Sequence, residues 1–433
     1  MRGKLIPAFL LCSLMLLSSI ACFSQDLGYA RRIVKTLASP AFKGRGYVQN
    51  GETIASDYIA SLFEKYGLVP LNAGSYFQSF NIPVNTFPGK MELRLNNQSL
   101  VAGADYLVDA SSPSVDGTFP VLSIRQSDLN TSEKFDLLIS KAQNAFLMID
   151  QRPDSSVSKV EKASIQSNIQ RLLGDESIAI KGLIMFTSEK LTWTTLTYQA
   201  ARPVITVNKK DLDPASIKKV TVDVDAKFYP DYTTRNVVGM VRGTSNSDST
   251  VVISAHFDHL GMMGTAVYFP GANDNASGTA MMLSFARYYG QHKPKYNTVF
   301  LAFSGEEIGL LGSKAFVEHP LIQLNKIKFL INFDLAGTGE EGIKVVNGSV
   351  FKEQFQTLVN LNATFKLLPK IDIRGEACIS DHCRFYGVGV PSFFIYTLGG
   401  IQAYHDIYDC SETLPLTSFE NYFKLMVKFF EVL

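Results

Sequence analysis

From Asn236 to the C-terminus, short continuous apolar runs alternate with amphipathic stretches, and this alternation constrains the fold more than any other feature. Residues 237–241, 250–255, 298–304, 327–333 and 391–397 read as strands. The run 298–304, TVFLAFS, lacks polar alternation, as a strand covered on both faces does. Between the strands, 276–290, 306–317, 351–362 and 419–433 carry helical spacing; in the first, Ala276, Ala280, Leu283, Phe285, Ala286 and Tyr289 form the stripe. Strands alternating with helices predict an α/β fold, here a three-layer sandwich with a mostly parallel mixed sheet and helices on both faces.

The preceding chain has two textures. Residues 26–38 and 52–66 carry helical stripes (Leu27, Ala30, Ile33, Val34 and Leu37; Ile54, Tyr58, Ile59, Leu62, Phe63 and Tyr66), with Gly67 and Pro70 ending the second. From about 90 to 230, β-rich pieces such as 91–95, 145–149 and 182–187 alternate with polar loops, and no histidine occurs. This stretch reads as a separate β-rich module with little obvious chemistry.

All six histidines, His256, His259, His292, His319, His382 and His405, lie in the second half. His256 ends the strand in VVISAHFDHLG, Asp274 lies in the turn GANDNASG, and Glu306 and Glu307 follow TVFLAFSG. Asp334 ends IKFLINFD, and His405 stands in YHDIYD after the last strand. In open α/β sheets, ligands collect beyond the carboxyl ends of the strands, so separate strands deliver metal-type ligands to one edge. Two imidazoles and three carboxylates suit zinc. Five ligands exceed what one tetrahedral zinc with an open position needs, and suit two metals roughly 3.5–4 Å apart sharing a carboxylate, with Asp274 as the candidate bridge. Of the adjacent pair, one carboxylate binds metal while its neighbour acts as general base. Asp258 is placed to accept a hydrogen bond from the His256 ring and orient it.

The ordered set AHFDH, GANDNASGTAMMLSFAR, FSGEEIGLLGS, FDLAG, SDH and YHDIYD resembles the secreted co-catalytic dizinc aminopeptidase family, to which glutamate carboxypeptidase and glutaminyl cyclase are related. The stretch LASPAFKGRGYVQNGETIASDYIASLFEKYGLVPL resembles that family's opening helices. The implied organisation is an N-terminal part of the catalytic domain at 26–90, a β-rich insert resembling a protease-associated domain at 91–232, and the main catalytic domain at 233–433. The resemblance implies one zinc on His256, Asp274 and Asp334, a second on Asp274, Glu307 and His405, and Glu306 as base toward a water shared by the two ions. It also implies a cis peptide bond at Asp274–Asn275. Asp406 departs from the family pattern, which usually has Thr there, and suggests an altered pocket wall. Leu335, Tyr404 and Asp381 are expected to meet substrate, and the substrates implied are peptides with a free N-terminus. The alternatives are a single-zinc glutaminyl cyclase, a carboxypeptidase of the same fold, or a degenerate binding domain. The compact EEIGLLGS stretch and Tyr404 before His405 favour the peptidase.

His259 lies beyond the ligand position and is expected not to bind metal; His292 and His319 read as surface residues. Ser380-Asp381-His382 suggests a hydrolase triad only on paper, because one short segment cannot adopt that geometry. Cys378, Cys383 and Cys410 are expected as free buried thiols, a Cys378–Cys383 disulfide being the alternative.

At the N-terminus, Arg2 and Lys4 precede the apolar run 5–17 and the small residues Ser18, Ser19 and Ala21, the layout of a secretory signal peptide over 1–25. The expected location is secreted or periplasmic, with lipid anchoring through Cys22 as the alternative. No other stretch has the roughly 20 apolar residues that span a bilayer. Lys plus Arg total 41 against 40 Asp plus Glu, a balance that gives no electrostatic footprint for nucleic acid.

Overall fold

The computed structural model describes residues 27–153 and 157–433. The expected signal peptide and Cys22 lie outside them. Among the described residues, no helix is long and apolar enough to cross a membrane.

The main sheet has nine strands. From one edge its order is Ile371–Ile373, Gly342–Val346, Ser392–Leu398, Ile327–Phe333, Thr250–His256, Asn297–Phe303 and Lys227–Val241, on which both Val69–Pro70 and Phe77–Thr86 pair. Pairing is parallel through the centre, from Ser392–Leu398 to Asn297–Phe303, and antiparallel where Gly342–Val346 and Lys227–Val241 join the flanks. The apolar runs follow from this position. On Thr250–His256, Val251, Ile253 and Ala255 enter one core while Val252 enters the opposite one; on Asn297–Phe303, Phe300 and Ala302 oppose Val299, Leu301 and Phe303 in the same way. Strands alternate faces with period two, so covering both faces demands apolar residues at every position.

Leu27–Leu37, Gly51–Lys65, Gly278–Gln291 and Phe419–Val432 contribute to the larger core; Leu311–Glu318 and His382–Tyr386 contribute to the smaller one. These are the three layers. Phe285, on Gly278–Gln291, joins them on one side: its ring lies 5.7 Å from Phe333, 4.4 Å from Phe423 and 5.3 Å from Phe430. Burying an aromatic side chain of this kind contributes about 1.5–3 kcal/mol.

The second sheet has eight strands, all between Met91 and Val224. Four of them, Val115–Arg125, Phe146–Asp150, Gly182–Phe186 and Val204–Val207, run parallel, with helices Ser132–Lys141 and Lys159–Gly174 in the connections. The insert is therefore itself half α/β. The ribbon Phe77–Thr86/Lys227–Val241 leads into and out of it and belongs to the main sheet, so the insert's own strands end short of residue 232. The insert's core is continuous with Leu260, Met263 and Phe269 of the main domain.

One element differs from expectation. The helix foreseen over 306–317 begins only at Leu311. Gly305, Gly309 and Leu310 adopt φ of 73°, 110° and 60°, and these left-handed residues hold Glu306 and Glu307 in an irregular turn instead of a first helical turn.

Candidate metal centre

Five segments meet beyond the carboxyl ends of the central strands. His256 is the last residue of its strand, and Asp334 directly follows the adjacent strand. Asp274 lies in the turn Ala272–Ser277 ahead of helix Gly278–Gln291, and its peptide bond to Asn275 is cis. Glu306 and Glu307 occupy the turn after Asn297–Phe303, and His405 comes from the loop after Ser392–Leu398.

Their side chains converge. Asp274 presents Oδ1 to His256 Nε2 at 3.4 Å and Oδ2 to His405 Nε2 at 3.0 Å. Asp334 Oδ1 lies 3.4 Å from His256 Nε2, and Glu307 Oε2 lies 3.2 Å from His405 Nε2. Glu306 Oε2 is farther, 4.0 Å from His256 Nε2. His405 Nε2 and Asp334 Oδ1 are buried without a hydrogen-bond partner, a costly arrangement unless a cation lies between such atoms. The donor set therefore fits a borderline divalent metal such as zinc. Among the described residues, the triads His256/Glu306/Asp334 and His256/Asp274/Glu307 each bring one donor atom per residue within 4.8 Å of the others. Asp274 presents one carboxylate oxygen to each of His256 and His405.

The charges are mutually adjusted. Burial disfavours the Asp274 carboxylate, but the His256 and His405 rings hold it well below the usual range. Burial and the Asp274 charge push Glu307 upward, yet His405 and His259 prevail and hold it at about 2. Glu306 lacks such partners: burial pushes it well above the usual carboxylate range despite His256, with Glu307, Asp381 and Asp334 adding to the rise.

Several surrounding residues differ from expectation. The His256 ring nitrogen Nδ1 lies 3.2 Å from the main-chain carbonyl of Asp258, while the Asp258 carboxylate is 3.6 Å away. That carboxylate instead accepts from the Glu306 main-chain N–H (3.2 Å) and the Tyr47 hydroxyl (3.3 Å). Asp258 thus positions the turn carrying Glu306; it is fully buried and does not line the cavity. Asp381, expected at the substrate wall, is also fully buried and does not line the cavity; burial raises it to about 7. Its neighbour Ser380 donates to Asp334 Oδ2 at 3.0 Å and accepts from Asn332, which in turn accepts from Ser254. His382 is buried too, and burial lowers it to about 4. Cys378 and Cys383 are disulfide-bonded, not free, because the turn between them brings their Cα atoms to 4.9 Å; Cys410 is a free thiol.

The cavity over the carboxylates has a volume of about 270 Å3. Leu335 and Tyr404 line it, as do Ile379, Phe394, Tyr396 and Arg374, whose guanidinium donates to the Tyr396 hydroxyl at 3.1 Å. Tyr404 stacks on the His405 ring at 3.9 Å.

Sequence reasoning missed other groups altogether. Arg45 is fully buried and donates to five main-chain carbonyls, of Leu37, Phe257, Pro270, Gly271 and Asp274, at 2.7–3.2 Å. Burial lowers it to about 10, while Asp274, Asp409 and Asp258 favour its charge. Its neighbour Gly44 has φ +62°, and a Cβ there would stand 2.4 Å from the Gly261 carbonyl oxygen. The Asp409 carboxylate accepts the main-chain N–H groups of Asn273 and Asp274 at 2.8–3.0 Å. His259, set aside by position, donates from Nδ1 to Glu307 Oε1 over 2.6 Å. The only early signal was the FKGRG motif and the second acid of YHDIYD.

Residues 236–430 match peptidase family M28. Aminopeptidase YwaD of Bacillus subtilis (strain 168) is 31% identical over 194 residues, 44% of this chain and 41% of that protein. A probable zinc metalloprotease of Pyrenophora tritici-repentis is 28% identical over 206 residues, 45% of each. The match thus spans less than half the length of these curated relatives. The fold is that of BSAP, a zinc aminopeptidase from Bacillus subtilis, with a TM-score of 0.67, 21% identity, and 95% of this chain and 94% of that one covered. It is also that of a Peptidase M28 precursor from Shewanella amazonensis, with a TM-score of 0.63, 15% identity, and coverage of 94% and 97%.

Proposed function

We propose, from the match of residues 236–430 to peptidase family M28, that this chain is a zinc-dependent aminopeptidase that removes N-terminal residues from peptides. The observation that carries the reading is Asp274 facing both His256 and His405, with the unpartnered Asp334 Oδ1 and His405 Nε2 on either side. In this reading His256, Asp274 and Asp334 hold one zinc, and Asp274, Glu307 and His405 hold the other. Zinc so held supplies Lewis acidity toward the scissile carbonyl and toward water.

The chain's own residues do the rest. Glu306, free of imidazole contact and raised by burial, takes the proton of the attacking water and returns it to the leaving amine. Asp258 fixes the Glu306 main chain, and the His259 ring orients Glu307. Leu335, Ile379, Phe394 and Tyr404 give the cavity an apolar wall against the substrate side chain and exclude water from the bond being cut.

The reading is tested with paired substrates. Aminoacyl amides and short peptides with a free amine are expected to be hydrolysed, and their N-acetylated forms to react at least about 10³-fold more slowly, because acetylation removes the amine's charge and donors and leaves the acids of the site without that partner. Equal cleavage of both would point to an endopeptidase or carboxypeptidase. Ring closure of N-terminal glutamine without peptide hydrolysis would assign the cyclase. The M28 sequence also accompanies an N-terminal segment read as a signal peptide, which supports action in the cell envelope or outside the cell.

A further inference from the structure

His405 is held chiefly by a segment of the insert, some 210 residues earlier in the chain. The main-chain N–H of Trp193 donates to the His405 carbonyl at 2.8 Å, and His405 Nδ1 lies 3.1 Å from the Trp193 carbonyl. With Nδ1 so engaged, Nε2 is left pointing at Asp274 and Glu307. Lys190 grips the same loop: Nζ donates to the carbonyls of Gln402 (2.7 Å) and Tyr404 (3.2 Å) and pairs with Asp406 Oδ2 at 2.5 Å. The Thr195 hydroxyl donates to the main-chain carbonyl of Glu307 at 3.0 Å, so this segment touches the second ligand as well.

The segment is itself anchored. The Trp193 indole stacks on Phe269 at 4.7 Å and donates from Nε1 to the Val108 carbonyl at 2.7 Å. His405 has φ of 52°, a left-handed conformation that costs a non-glycine residue energy and persists where surrounding contacts over-determine it. By contrast, His256 and Asp334 are set by central strands and by the Ser254–Asn332–Ser380 hydrogen bonds, with no group of the insert among them. Asp406 is the acid that meets Lys190, and its side chain is only 4% exposed.

We propose that Lys190, Trp193 and Thr195 are positioning residues through which the insert sets the affinity of the metal position served by Glu307 and His405, while the position served by His256 and Asp334 is independent of it. This rests on the two-metal reading above. Conserved contacts behind a metal ligand are commonly worth 10–100-fold in metal affinity.

The test is calorimetric titration of zinc into the full-length, chelator-treated protein, with thermal unfolding of the metal-free forms. Wild type is expected to show two binding steps. Lys190→Met, which strands the buried Asp406 carboxylate, should weaken one step by roughly 10–100-fold and leave the other unchanged. Asp406→Asn should weaken the same step less, and Lys190→Met/Asp406→Asn should regain part of the loss. Two unchanged steps in Lys190→Met would overturn the proposal alone. So would equal weakening of both steps with a lower melting temperature, the signature of general loosening. Fewer than two steps in wild type would sink the two-metal reading and this proposal with it.

Discussion

Glu306 and Glu307 share a peptide bond, yet their carboxyl groups sit in different fields. The Glu307 carboxylate lies between two imidazoles, 2.6 Å from His259 Nδ1 and 3.2 Å from His405 Nε2, which stabilise its charged form. Glu306 comes no closer than 4.0 Å to an imidazole, and burial favours its protonated form. A group whose proton is held more tightly than usual serves proton transfer near neutral pH, and one held ionised serves as a ligand. Glu306→Gln is therefore expected to retain zinc and fold while lowering kcat by roughly 10²–10⁴. Glu307→Gln is expected to lose zinc first, with activity partly restored by excess metal. Metal analysis and steady-state kinetics on both variants check the division; equal zinc loss in the two would remove it.

Among the elements, the segment 374–383 shows where a local constraint shapes the pocket. Arg374 and Ile379 face the cavity, Ser380 reaches Asp334, and the Cys378–Cys383 disulfide closes the turn between them. A bridge across so short a loop limits the unfolded chain by about 2 kcal/mol. Replacing both cysteines with alanine should lower stability by about that amount and raise KM through a looser wall, with zinc content unchanged; thermal unfolding and substrate titration measure the two effects. The sequence marked this segment by the SDH motif and its flanking cysteines, but the cysteines read as free thiols and the bridge that shapes the turn was only the alternative. The same contrast holds across the elements. The central strands were legible because burial on both faces leaves a continuous apolar run, and His256 and Asp334 were legible as candidate ligands because they end such a run or follow it at once. Gly342–Val346 and Ile371–Ile373 were not read as strands, since short flank strands carry too few residues to show a period. Arg45, Trp193 and Lys190 were invisible as parts of the site for another reason. Their partners lie up to about two hundred residues away, and only the tertiary fold brings a main-chain carbonyl to a given guanidinium or ammonium group.

For the molecule as a whole, the acids and imidazoles of the centre make stability depend jointly on pH and metal. In the metal-free chain, burial raises Asp381 to about 7 and Asp409 to about 6, from an ordinary 3.8. Each holds a proton in the folded state that the unfolded chain has released, so the stability it lends is complete below 3.8 and is lost as pH rises through 6 and 7. His405 behaves alike: burial opposes its charge, but Glu307 and Asp274 raise it to about 11, and its contribution is present below 6.5 and fades on the way to 11. Glu307, held at about 2, acts oppositely, stabilising above 4.5 and ceasing to do so as pH falls toward 2. The chelator-treated protein should therefore be most stable near pH 4.5–5 and lose roughly 3–6 °C in melting temperature by pH 8. Zinc binding requires these ligands unprotonated, so it competes with protons at low pH and gains as pH rises. Bound zinc stabilises the folded state by mass action, and the gap in melting temperature between zinc-loaded and chelated protein should widen steadily from pH 5 to pH 8. Differential scanning calorimetry at fixed zinc and chelator concentrations across that range measures it. A gap that stays constant with pH would mean that zinc displaces no proton from His405, the proposed ligand that still holds one across this range, and would remove His405 as its ligand.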